Sequence, residues 1–218
     1  MEGTSNTEIE VKVALVEWRD YEKLLRSMTT PEANFTQFNS YLDDDRRSLR
    51  EAHIMLRARE IKFPVGAAKG LGKPPVTITA KRRRSSDRGV FISEEHEQVM
   101  PFDEWTDFAI GREPLDTKGH VFRWLKSQVD HGDLKVLGQT VNERYKVRSD
   151  VFVLEVDFTK FPDGSKEVEI ECETIWPDVA KTHIEELCAK LGIQTRLQEK
   201  GKYARFLEKT EGVRNYPG

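Results

Sequence analysis

Apolar and polar residues alternate with a period of two over much of this chain. Glu8-Ile9-Glu10-Val11-Lys12 is the clearest example. Successive side chains of a strand point to opposite faces, so Glu8, Glu10 and Lys12 share one face and Ile9 and Val11 the other. On this pattern residues 7–16, 35–43, 53–63, 76–83, 90–99, 138–148, 151–159 and 166–174 read as strands. Residues 76–83 and 90–99 form a hairpin around 85–89, and Asp163-Gly164 marks a turn. A period of three and four replaces this alternation elsewhere. Trp18, Tyr21, Leu24, Leu25 and Met28 make 17–28 a helix, and 101–111 and 115–129 follow the same rule. Trp176-Pro177-Asp178 opens a helix to about 191, where Gly192 stops it. A short last helix spans 199–209 and the tail to 218 is frayed. The Gly- and Pro-rich segment 64–75 reads as a long exposed loop. Eight strands, mostly in meander order, with several helices indicate an α+β fold without internal repeats.

The polar faces of these strands are charged, and mostly of one sign each. Arg57 and Arg59 lie together, as do Glu95 and Glu97, and Glu155 and Asp157. Thr77, Thr79 and Lys81 share a face. Glu167, Glu169, Glu171 and Glu173 alternate with Val168, Ile170 and Cys172. Four carboxylates on one strand face repel each other unless cations or solvent intervene. One reading makes all of these the solvated outer face of a half-buried antiparallel sheet. If the sheet closes into a barrel, the charged faces point inward and helices cover the apolar faces. Such an interior would hold a carboxylate cluster and an Arg/Lys cluster. Hard divalent cations prefer carboxylate oxygens and share substrate phosphates. Arg and Lys bind phosphate through charge-assisted hydrogen bonds. The two clusters suggest a metal-dependent site for a chain of phosphates.

Composition narrows the alternatives. The net charge of -3 arises from 35 basic and 38 acidic residues, a balance that argues against a general nucleic-acid binder. Cys172 and Cys188 form no disulfide framework or zinc spacing and fit reduced thiols in a cytosolic protein. No apolar run approaches the roughly 20 residues of a membrane span, and residues 1–6 lack the basic and apolar regions of a signal peptide. Lys81-Arg82-Arg83-Arg84 reads as a strand end with a solvated tip rather than a nucleic-acid patch. The five histidines have no metal-like spacing, though His96 could line the interior. Trp18, Trp105, Trp124 and Trp176 read as packing residues.

The ordered set of motifs resembles the CYTH superfamily, also called triphosphate tunnel metalloenzymes. It covers residues 7–208 as one domain, with 209–218 as the tail. The hallmark Glu-x-Glu-x-Lys is Glu8, Glu10 and Lys12. Arg57-x-Arg59, a strand ending at Lys81, Glu95 with Glu97, Arg144, Glu155-x-Asp157, Glu169-x-Glu171 and Lys202-Tyr203 follow in the expected order. Two positions depart from the pattern. Thr79 stands where relatives often carry the first Lys of Lys-x-Lys. Lys200 precedes Lys202 in the late motif and could substitute for it.

The resemblance implies an eight-stranded antiparallel β-tunnel with a charged interior, flanked by helices. It implies dependence on Mg²⁺ or Mn²⁺ and a small-molecule substrate containing a triphosphate. Glu8, Glu10, Glu155, Asp157, Glu169 and Glu171 would hold metal. Glu95, Glu97, Asp157 and Lys81 would serve catalysis. Lys12, Arg57, Arg59, Lys81, Arg144 and Lys202 would clamp non-bridging oxygens. Inorganic triphosphatase is the first choice among functions, because the chain carries no second domain to read an RNA or nucleotide. Thiamine triphosphatase, nucleoside triphosphatase and class IV adenylate cyclase share the same phosphate grip. A non-catalytic polyphosphate-binding module is the alternative of another class. Fold and phosphate site alone do not define the leaving group.

Overall fold

The computed structural model describes residues 3–28, 32–64 and 74–214, with side chains to 211. The strands are β1 (Thr4–Leu15), β2 (Ala33–Asp43), β3 (Ile54–Lys62), β4 (Val76–Asp87), β5 (Val90–Met100), β6 (Lys135–Ser149), β7 (Phe152–Lys160), β8 (Lys166–Glu173) and β9 (Thr195–Leu197). The helices are α1 (Tyr21–Ser27, preceded by a 3₁₀ turn at Trp18–Asp20), α2 (Ser48–Glu51), α3 (Phe102–Ala109), α4 (His120–Gln128), α5 (Pro177–Lys190) and α6 (Lys202–Arg214). All eight expected strands are present, shifted by up to four residues at their ends. Most of the expected loop at 64–75, and the last residues of the expected frayed tail, lie outside the described residues. The last helix runs past 209 to Arg214.

The strands are hydrogen-bonded in the order β5-β4-β3-β2-β6-β7-β8-β1-β9, and β5 also pairs with β1. That pairing closes eight strands into an antiparallel barrel, and the six helices flank it. The residues fall into two compact units. The first contains 1–7, 37–84 and 93–139; the second contains 8–36, 85–92 and 140–218.

In the second unit, Val11, Val13, Leu154, Val156, Val168, Ile170 and Cys172 turn one sheet face into the core. There they meet Leu24 of α1 and Ala180, Ile184 and Cys188 of α5. Burying each such side chain contributes about 1.5–3 kcal/mol. The first unit repeats the scheme. Leu56, Ala58, Ile78 and Ala80 pack on Trp105 of α3 and on Val121, Phe122 and Leu125 of α4. In both units the helices cover the apolar strand faces, as a closed sheet requires.

Local chemistry explains the turns. Arg88 and Gly89 both have positive φ (45° and 82°), as a two-residue hairpin with right-handed twist demands. Gly89 has a further constraint: its carbonyl accepts the Lys12 N–H at 2.8 Å, and a Cβ there would lie 2.9 Å from the Lys12 carbonyl oxygen. At the expected Asp163-Gly164 turn, the Asp163 carboxylate accepts the Ser165 N–H and hydroxyl. Pro177 sits in the first turn of α5, and Gly192 (φ 62°) follows its end.

Three features departed from expectation. Helix α2 has four residues, too few for periodicity, and exists because carboxylates cap it. Asp43 accepts the N–H groups of Leu49 and Arg50, and Asp44 accepts that of Ser48. Helix α4 starts at His120, five residues later than its apolar pattern suggested. Gln98 of β5 accepts the Val121 N–H at 2.8 Å and so fixes that start. Strand β9 has three residues, which pair with Val13, Ala14 and Leu15.

Candidate active site

In the second unit, the charged face opposite the core is buried, which rules out the solvated-face reading there. Asp157 is 0% exposed, Glu169 1% and Glu171 6%. Strand register explains which groups meet. Lys12 lies opposite Glu171, Glu171 opposite Glu155, and Glu155 opposite Lys146. One row along, Glu169 lies opposite Asp157, and Asp157 opposite Arg144. Acidic strands β7 and β8 are therefore flanked on each side by a strand that carries cations.

Three carboxylates converge. Asp157, Glu169 and Glu171 each offer an oxygen within 4.8 Å of the others. Three cations close around them, Lys12 and Arg144 buried and Lys202 half-buried. Arg144 donates to both oxygens of Asp157 (2.7 and 2.5 Å) and to Glu171 Oε2 (2.7 Å), and pairs with Glu155. Lys12 donates to Glu171 and lies 2.8 Å from Glu10 Oε2. Lys202, at the start of α6, donates to Asp157 Oδ2 (2.7 Å) and Glu171 Oε1 (2.8 Å) and pairs with Glu169. Glu169 Oε1 is buried and lacks a hydrogen bond of good geometry, although Lys202 Nζ lies against it. On the outer side of the cluster Lys146 pairs with Glu155 at 2.5 Å.

The electrostatics follow from this packing. Burial favours the neutral form of each group, and the neighbouring opposite charges outweigh it. Burial alone would lift Asp157, but Arg144 and Lys202 hold it below the ordinary carboxylate range. Burial alone would also lift Glu171, but Lys12, Lys202 and Arg144 bring it well below that range. Burial opposes charge on Lys12 and Lys202 too. Glu10 and Glu171 hold the Lys12 ammonium above its usual value, and Asp157, Glu169 and Glu171 do the same for Lys202.

These directions set the dependence of folding on pH. The carboxylates titrate lower folded than unfolded, so their stabilisation is complete above the unfolded value of about 4 and is lost as pH falls through the folded values. The lysines titrate higher folded than unfolded, so theirs is complete below about 10.4 and is lost as pH rises through the folded values. Urea midpoints are expected to be flat from about pH 5 to 9 and to fall on both sides. A midpoint that rises between pH 5 and pH 3 would contradict this assignment.

The first unit brings a second set of the expected residues together. Arg57 Nη2 donates to the Thr79 hydroxyl at 3.2 Å, and that hydroxyl donates to Glu97 Oε1 at 2.8 Å. Thr79 is fully buried. Where the resemblance implied an ammonium, this chain has a hydroxyl that links a guanidinium to a carboxylate. Lys81 lies 3.6 Å from Glu95, and Arg59 Nε donates to Asn39. His96 is on the other face of β5. It stacks on Trp124 (centroids 4.3 Å apart) and bonds His120 and Glu94.

Other expectations resolve as follows. Glu8 and Glu10 share a face of β1, and neither belongs to the group of three converging carboxylates. Lys202 rather than Lys200 reaches those carboxylates, since Lys200 is exposed and bonded to Glu208. Cys172 and Cys188 are free, and burial pushes each thiol up to about 11. Trp105 and Trp124 pack in the first unit, whereas Trp176 is 58% exposed. No helix among the described residues is long and apolar enough to cross a membrane.

Sequence reasoning missed two residues. Arg205 donates to Glu169 Oε2 at 2.7 Å and pairs with Glu167, and Gln198 Nε2 approaches the same Glu169 oxygen at 3.4 Å. A signal for Arg205 existed. Lys202, Arg205 and Lys209 are spaced by three and four, which puts a basic stripe on one face of α6. Gln198 had none, because its position follows from the tertiary pairing of β9.

Comparison with known proteins bears on the fold and the family. Among solved structures, HpAC1 from Hippeastrum, an adenylyl cyclase candidate described as having a dominant triphosphatase activity, is 23% identical with a TM-score of 0.81. The match covers 92% of this chain and 95% of that one. A Bacillus halodurans protein described as an adenylate cyclase candidate is 22% identical over 92% of this chain and 98% of its own, with a TM-score of 0.67. The PH1819 protein of Pyrococcus horikoshii is 16% identical over 92% and 99%, with a TM-score of 0.60. These likenesses concern the fold. No curated protein matches the chain. The sequence profile of the CYTH domain matches residues 6–207. With nearly its whole length matched and the barrel closed as that family requires, the chain belongs to the CYTH domain family.

Proposed function

We propose that this protein hydrolyses inorganic tripolyphosphate to pyrophosphate and phosphate in a metal-dependent reaction. The observation that carries the reading is the buried group of Asp157, Glu169 and Glu171, enclosed by Lys12, Arg144 and Lys202. The donor set is all carboxylate oxygen, which suits Mg²⁺ or Mn²⁺ and not a soft metal. Glu169 Oε1, buried without a good hydrogen bond, is the kind of atom such an ion would satisfy. Asp157, Glu169 and Glu171 would hold the ion, with Glu8, Glu10 and Glu155 as further ligands. When bound, it would neutralise phosphate charge and lower the pKa of coordinated water.

The rest is the work of the chain. Lys12, Arg144 and Lys202 are held cationic by their neighbours, so each stays a donor to phosphate oxygens across the neutral pH range. In the free protein they neutralise the carboxylates. A triphosphate offers oxygens that accept the same donors. Asp157 and Glu171 are held ionised well into acid, which suits them to hold charge and makes them poor proton acceptors. In the reaction, water oxygen bonds to a terminal phosphorus and gives up a proton to solvent, the bond to the bridging oxygen breaks, and pyrophosphate leaves with the bonding electron pair. Ammonium and guanidinium donors stabilise the charge on that departing oxygen. Glu95, Glu97 and Lys81 would assist in placing the water, and Arg57 and Arg59 would grip the substrate.

Arg57→Ala is expected to raise KM about tenfold or more with a smaller change in kcat, because one guanidinium–phosphate contact is worth about 1.5–3 kcal/mol. An unchanged KM would remove Arg57 from the substrate-binding set. The leaving group is tested by a turnover panel of tripolyphosphate, thiamine triphosphate and ATP, with cyclic AMP assayed as the cyclase product. Preference for tripolyphosphate is expected. Preference for ATP or thiamine triphosphate would keep the site and change the substrate. Tight binding of tripolyphosphate without turnover of any substrate would identify a binding module.

A further inference from the structure

Glu169 is gripped unequally. Its Oε2 receives Arg205 Nη2 at 2.7 Å and is approached by Gln198 Nε2 at 3.4 Å. Its Oε1 lies against Lys202 Nζ, which is itself bonded to Asp157 and Glu171. One oxygen is therefore turned away from the carboxylate cluster and one toward it. Both outer partners are buried, Arg205 at 5% exposed and Gln198 at 2%. Both are also anchored from elsewhere. The Gln198 N–H donates to the Lys12 carbonyl at 3.1 Å. Arg205 pairs through its other terminal nitrogen with Glu167, which Lys209 holds in turn at 2.8 Å, and its guanidinium lies 5.8 Å from the Phe161 ring centre.

We propose that Arg205, supported by Gln198, is a positioning residue for Glu169: it fixes the carboxylate so that Oε1 faces Asp157 and Glu171. The inference rests on the metal-site reading above. Groups that hydrogen-bond a metal ligand set its rotamer, and losing one typically costs about 10–100-fold in metal affinity. Without Arg205, the Glu169 carboxylate can rotate and offer both oxygens to Lys202, which competes directly with a divalent cation. A planar fork that spans Glu167 and Glu169 is specific to arginine. Lysine supplies a single point charge at the same place.

The test is Mn²⁺ binding to the purified full chain without phosphate, read from the free-ion electron paramagnetic resonance signal, with thermal unfolding recorded for each variant. Wild type is expected to bind and Glu169→Gln to lose binding. Arg205→Met is expected to weaken binding about 10–100-fold, and Arg205→Lys to recover part of that loss. Lys160→Met, which removes an exposed ion pair with Glu143 and touches none of Glu167, Glu169 or Arg205, is expected to leave Mn²⁺ affinity unchanged. Wild-type affinity in Arg205→Met, with binding lost in Glu169→Gln, overturns the positioning role and leaves the metal site standing. Binding absent from wild type, or unchanged in Glu169→Gln, overturns the metal site and this inference with it. If Arg205→Met does not fold, Arg205→Lys decides: an intermediate affinity at wild-type melting temperature supports the role, and an unchanged affinity overturns it.

Discussion

Glu171→Gln is expected to lose metal-dependent triphosphate turnover by at least about 100-fold and to lower folding stability in the same step. Glu171 is bonded to Lys12, Arg144 and Lys202 at once, whereas Asp157 pairs with Arg144 and Lys202 and Glu169 with Lys202 and Arg205. Glutamine keeps the shape and removes the charge. The three cations then face one anion fewer in a site from which water is largely excluded. Leaving a buried charge without its partner costs about 3–5 kcal/mol, and the remaining carboxylates hold this loss to the lower end. Glu169→Gln removes the oxygen without a good hydrogen bond and is expected to cost activity comparably, with less stability, since Lys202 and Arg205 keep other partners. Phosphate release with Mg²⁺ and Mn²⁺, beside urea unfolding of each variant, checks both halves. Normal turnover by either variant would remove these carboxylates from the site.

Arg144→Met is expected to be the most destabilising single change on this face. Arg144 holds Asp157 by two parallel hydrogen bonds and reaches Glu171 and Glu155 as well. Asp157 has no exposure to water. With the guanidinium gone, Lys202 is its remaining cation among the described residues. The expected loss is about 3–5 kcal/mol, or a melting temperature about 10 °C lower in a protein of this size. Asp157→Asn alone is expected to destabilise by a similar amount. The double variant should lose less than the sum, because neither residue then leaves the other charged and unpaired. Strict additivity would show that the two do not act as a pair.

The period-two pattern contained most of this face. Glu155, Asp157, Glu169 and Glu171 could be placed on one side of their strands from spacing alone, and Cys172 and Ile170 on the other. The signs of charge did more than the pattern. An outer face has no reason to concentrate four carboxylates on one strand, and the observed register shows why this chain does so. Lys12 on β1 lies opposite Glu171, and Arg144 on β6 lies opposite Asp157, which in turn faces Glu169. What spacing could not show is contact created by the packing of distant segments. Gln98 starts a helix from a neighbouring strand, and Asp43 and Asp44 create a four-residue helix by capping it. Arg205 looked like one basic residue among many on a terminal helix until the structure put it against Glu169. Thr79, a missing cation by comparison with relatives, is in the structure a hydroxyl bridge between Arg57 and Glu97.

The central claim is that the buried carboxylates and cations form a metal-dependent triphosphatase site. The most direct measurement is phosphate release from tripolyphosphate with Mg²⁺, with Mn²⁺ and with EDTA, using wild type and Glu171→Gln side by side. Turnover that requires a divalent metal, stops with EDTA and is lost in the variant is the predicted result. Metal-independent release, or equal rates for wild type and variant, would contradict the account.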